Sequence, residues 1–142
     1  SHFVYGWMPT IIHINTKEID KVLSLLNAVK AGHSLELEEL EILKSCINNS
    51  MVGLSKLLHF INPEEYAIWD SRIYRYITGK KTQYGIDKTV NYSEYLTRIR
   101  EISKHQDYPA LHLMIEKHFS YPLTTMRAIE ILIFEIERMI KE

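Results

Sequence analysis

A chain of 142 residues, 46% hydrophobic and 25% charged, is long enough to bury a core of its own and has the balance of an ordinary globular domain. Its formal net charge of −1 gives no general sign of nucleic-acid binding, and its lone Cys46 excludes an intramolecular disulfide and any cysteine-based zinc or iron–sulfur cage. No run of about 18 apolar residues is present, so no membrane span is expected. Without the charged start and apolar stretch of a signal peptide, a reducing, cytoplasmic setting fits best.

Charge is unevenly spread. Residues 1–71 carry a balance of −4, residues 72–104 one of +5 and residues 105–142 one of −2. A basic middle can meet phosphates locally, or simply solvate a loop.

Residues 1–14 are apolar and aromatic and read as an extended segment, or a loop that lays Trp7 onto the body. Asn15 is the expected cap of a first helix, with Glu18 three positions on, Val22, Leu25, Leu26 and Val29 as its stripe and Gly32 just past its end. Ser34 is expected to cap a second helix, which carries Leu40, Leu43 and Ile47 and ends near Asn48-Asn49. Glu36, Glu38, Glu39 and Glu41 crowd its first turns, where carboxylates meet the positive end of the helix dipole. A third helix is expected over about 54–61, breaking at Asn62-Pro63. Asp70 or Ser71 caps a fourth, with Ile73, Tyr74 and Ile77 inward and Gly79 as its stop.

The polar, basic stretch 80–88 reads as an exposed loop. Another helix is expected over about 93–105, with Tyr95, Ile99 and Ile102 inward, and one from Pro109 through His118. Pro122 and Thr124 precede the longest helix, whose stripe includes Met126, Ile129, Ile133, Ile136 and Ile140. Tyr92, Tyr95, Tyr108 and Tyr121 read as partly buried packing residues. About seven helices and hardly a strand predict an all-α protein, one compact domain over residues 1–142.

Few residues carry recognisable chemistry. His112, Glu116 and His118 are close in sequence, but 118 is turned away from the face shared by 112 and 116, so no metal site is expected. No Gly-rich phosphate loop or nucleophilic serine motif is present, and no cofactor is implied. Lys56 is the more informative residue. On a helical projection Leu54, Leu57, Leu58 and Ile61 share one face, and Lys56, His59 and Phe60 take the other. Periodicity alone makes Lys56 a solvent-facing residue beside a second packing surface, and Asp70 a helix cap worth about 1 kcal/mol. A chain returning through Asn62-Pro63 would also bring this amine and this carboxylate together in a cleft, a pair able to open a glycosidic bond.

The sequence VGLSK, an apolar run, a proline break and then WDSRIYRYI resembles the core of the helix-hairpin-helix DNA glycosylases, most nearly the 8-oxoguanine DNA glycosylase-like branch. The likeness spans roughly residues 45–78. It implies Gly53 in the hairpin, Lys56 as catalytic amine and Asp70 as catalytic carboxylate. The usual Leu-Pro-Gly-x-Gly hairpin is reduced here to Met51-Val52-Gly53-Leu54-Ser55, and the lysine-to-aspartate interval is short. The activity implied is that of a base-excision-repair hydrolase acting on a damaged purine in DNA. DNA contacts are then expected from Gly53, Ser55, Arg72, Arg75, Lys80 and Lys81, and base-pocket walls from His59, Phe60, Trp69 and Trp7. Two other readings stay open: a glycosylase-fold module that binds nucleic acid or a nucleotide without turnover, as in an antiviral defence system, and a helical protein-interaction domain. Oligomeric state is not legible.

Overall fold

The structure, a computed structural model, describes residues 18–141. Among them are seven α-helices and no strand: α1 (Ile19–Lys30), α2 (Leu37–Cys46), α3 (Met51–Ile61), α4 (Ser71–Thr78), α5 (Thr89–Ser103), α6 (Tyr108–Phe119) and α7 (Thr125–Lys141). No helix of the described residues is long and apolar enough to cross a membrane. The expected Asn15 cap and the extended segment 1–14 lie outside the described residues.

Helix starts differ from expectation in three places. Ser34 does not start α2. Glu36 does, in a capping box with Glu39, whose Oε1 accepts the Glu36 N–H at 2.9 Å. Helix α3 begins three residues earlier than expected, because Ser50 caps it by accepting the Gly53 N–H at 3.0 Å. Asp70 caps α4, and Gly79 ends it with φ of 70°, a left-handed conformation that glycine adopts freely. Helix α5 starts at Thr89, well before the expected residue 93.

Helix α4 packs on α7, α3 on α1 and α2, and α2 on α5. The feature that organises this body is the irregular connection between α3 and α4. Residues Tyr66, Ala67, Ile68 and Trp69 are all buried there, although they belong to no helix. Buried backbone outside a helix or sheet needs side-chain partners, and four side chains supply them. Ser55 Oγ accepts the Trp69 N–H at 2.9 Å, Glu130 Oε2 accepts the Ile68 N–H at 3.1 Å, and Tyr92 donates to the Ala67 carbonyl at 2.8 Å. His59 Nδ1 meets the Tyr66 carbonyl oxygen at 2.7 Å, where it donates. Around this thread Trp69 is fully buried, with its ring 5.7 Å from Tyr74 and 5.2 Å from Tyr95.

Several expected inward residues turn out. Ile102 is exposed at the end of α5 and Ile140 at the end of α7. Tyr121 is also exposed, whereas Tyr92 and Tyr95 are more deeply buried than expected. Stretch 80–88 is less free than its polarity suggests. Trp69 Nε1 donates to the Ile86 carbonyl at 2.8 Å, Asn91 to that of Gly85 at 2.8 Å, and Tyr74 to that of Tyr84.

Candidate active site

Lys56 and Asp70 line one cleft of about 320 Å³. They come from opposite ends of the buried thread. Lys56 stands on α3, off the stripe of buried Leu54 and Leu58, and Asp70 stands where the thread turns into α4. Asp70 Oδ1 accepts the Ile73 N–H at 2.9 Å, so the helix terminus fixes the direction of the carboxylate. The facing wall belongs to α7, through Arg127, Glu130 and Phe134, and Phe119 and Tyr121 close one side. An amine, a guanidinium, carboxylates and three aromatic rings therefore meet in a single concavity. Such a mixed lining suits a flat, polar, aromatic ligand.

Arg127 and Glu130 are additions to the expected site, and the sequence holds one signal for them. Glu130 falls four residues after Met126 and three before Ile133, inside the apolar stripe of α7. A carboxylate in that register is buried with a partner or a task. Here it has partners: Arg127 pairs with Oε1, and the Ile68 N–H with Oε2. Burial nevertheless pushes its carboxyl up to about 7, with the Arg127 guanidinium and the Ile68 N–H pulling the other way and Asp70 adding to the rise.

That shift has a sign. A carboxyl that holds its proton more tightly folded than unfolded favours the fold at low pH, and the benefit is lost as pH climbs from 4.5 to about 7. Glu130→Gln keeps an acceptor for Ile68 and removes the titration. Urea unfolding across that window is expected to show the wild type losing up to about 3 kcal/mol relative to the variant. Parallel pH profiles would mean that the buried carboxyl titrates like an exposed one.

Other expected site residues are elsewhere. Ser55 is fully buried and holds the Trp69 backbone, so it offers nothing to a phosphate. Gly53 is a buried residue in the first turn of α3 rather than an exposed hairpin glycine; a Cβ there would come within 3.2 Å of Ile47 Cγ2. Two N–H groups of that helix terminus are already taken, Gly53 by Ser50 and Met51 by Asp87 Oδ1 at 2.9 Å. The chain's own acceptors thus occupy two of the N–H groups on which the expected phosphate cradle depends.

Trp69 is core rather than wall. His59 is committed to the thread, and burial pushes its imidazole down from the usual histidine value. Neither His59 nor Phe60 lines the cleft, and Phe60 is exposed. Trp7 lies outside the described residues.

The basic residues of α4 stay near the site. Arg72 lies over the Phe134 ring, 4.5 Å from its centre, at the cleft's edge. Arg75, Lys80 and Lys81 line a second concavity farther along α4. His112 pairs with Glu116 at 2.9 Å, and no cluster of three metal-ligating side chains occurs among the described residues. No protein-family model, curated protein or solved structure matches this chain.

Proposed function

We propose that the protein is a DNA N-glycosylase-like enzyme that excises a damaged purine such as 8-oxoguanine, with a helix-hairpin-helix glycosylase-like body. The observation that carries this reading is the shared cleft of Lys56 and Asp70, walled by Phe119, Tyr121 and Phe134. A base inside duplex DNA must leave the stack to be reached, and aromatic walls give a flipped base a surface to stack on.

Departure of the base leaves positive charge on the sugar, which the Asp70 carboxylate stabilises. The Lys56 amine attacks C1′ as the C1′–N bond breaks. The leaving base takes the bonding electron pair and, finally, the proton that the amine gives up. Ring opening then forms a Schiff base between Lys56 and C1′, from which elimination nicks the strand. Glu130 and Arg127 lie beside the reacting pair as acceptor and donor for the edge of the base.

The test is incubation with duplex DNA carrying 8-oxoguanine, and with a panel of other purine lesions, in the presence of borohydride. A covalent protein–DNA adduct is expected with the wild type and none with Lys56→Gln, at an unchanged melting temperature. No base release and no adduct across the panel would remove the reading.

The reduced hairpin, an ordinary first turn of α3 with Gly53 packed against Ile47, supports a second reading, a nucleotide or nucleic-acid binding module without turnover. Affinity that survives both Lys56→Gln and Asp70→Asn, with no product formed, would favour it.

A further inference from the structure

If the chain handles DNA, the start of α3 is a poor phosphate anchor, because Ser50 and Asp87 already occupy two of its N–H groups. The seam between α4 and α7 offers another. The cleft holding Lys56 and Asp70 lies at one end of this seam, where Asp70 caps α4. A second concavity, of about 340 Å³, lies at the other end, where α4 stops at Gly79 and α7 approaches Lys141. Arg75, Lys80, Lys81 and Lys141 line it, against one carboxylate, Glu137.

Glu137 is buried, and it organises this cluster rather than cancelling it. It meets Arg75 at 3.3 Å and Lys141 at 2.6 Å. The Lys141 ammonium, with Arg75 behind it, holds its carboxyl below the usual range. Four cations around one carboxylate leave a surplus of positive charge, carried mainly by exposed Lys80 and Lys81. The Arg75 Nε is buried without an acceptor among the described residues. Arg72 lies over the ring of Phe134, a cleft residue, 4.5 Å from its centre, which adds a cation beside the cleft.

We infer that the α4–α7 seam carries the backbone of a nucleic-acid strand away from the cleft, its phosphates held at the Arg75–Lys80–Lys81–Lys141 end. The eight residues of α4 span about 12 Å, which matches the rise of three or four nucleotides along a duplex axis at about 3.4 Å each. A base in the cleft and a phosphate a few nucleotides along the same strand are thus held together. The inference rests on the DNA reading above but not on base excision.

The experiment measures affinity for a short fluorescent DNA duplex against salt concentration. It compares wild type, Lys80→Gln/Lys81→Gln, and a control, Lys104→Gln/Lys117→Gln, that removes the same charge from the ends of α5 and α6. Removing one phosphate-neutralising cation is expected to lower the slope of log affinity against log salt by about 1, so the seam variant falls by about 2 and the control stays near wild type. An unchanged slope in the seam variant, or an equal fall in the control, overturns the strand path. Binding with the expected slopes but no base release upholds the path and removes the excision reading. Base release with unaltered slopes does the reverse, and no binding by the wild type at low salt removes both.

Discussion

Asp70→Asn is expected to slow base release by about 10²–10³-fold, equivalent to about 2.7–4 kcal/mol, while leaving the fold intact. The two effects separate because aspartate does two things here. As the cap of α4 it accepts the Ile73 N–H at 2.9 Å, and asparagine caps a helix equally well. In the proposed chemistry its carboxylate in the cleft would face the developing positive charge of the sugar, which a neutral amide does not stabilise. Single-turnover release from a lesion-bearing duplex, beside a thermal melt, measures both. Asp70→Ala serves as the contrast, since it removes charge and cap together and should cost about 1 kcal/mol more in stability. Release by Asp70→Asn within about threefold of wild type would sink the proposed chemistry.

Trp69→Ala is expected to be the most damaging single change to stability, at about 3–5 kcal/mol. The indole is fully buried against Tyr74, Tyr92 and Tyr95, and its Nε1–H ties down the Ile86 carbonyl. Truncation opens a large cavity and removes that bond, so stretch 80–88 loses one of its anchors as well. For a domain of this size the melting temperature should fall by about 10–15 °C. Trp69→Phe, which keeps most of the ring but not the donor, should cost much less. Were Trp69 a wall of the base pocket, substitution would weaken ligand binding and leave the melt nearly unmoved, so one pair of measurements separates core from wall.

These two neighbours show what a linear sequence reveals and what it hides. Asp70 is legible because a helix start has a local signature: an acceptor before an apolar run, after a proline break. The return through Asn62-Pro63 does bring Lys56 and Asp70 into one concavity, for the same local reason. Trp69 beside it is misleading, because adjacency in sequence says nothing about side in space. In the extended thread successive side chains point to opposite sides, one into the cleft's lining and the next into the core. Ser55 and His59 mislead in a related way. Both look like polar site residues, yet their partners are backbone groups 14 and 7 residues onward, reached only once the thread is buried. Arg127 and Glu130 are hidden for another reason: periodicity assigns a face to α7 without naming the helix that packs on it. Gly53 shows the limit of a motif, since one glycine after a capping serine is equally a helix turn packed on Ile47.

The division of the cleft between distant parts of the chain bears on when it comes into being. Lys56 and Asp70 leave the ribosome well before Arg127, Glu130 and Phe134, which complete the opposite wall. Until α7 docks, the Ile68 N–H lacks its acceptor and the thread between α3 and α4 lacks its lid. During synthesis the Lys56 amine therefore faces only an open groove whose opposite wall is missing. The same glutamate that closes the core also assembles the site, so a nascent chain cannot carry the finished cleft before it carries the finished fold.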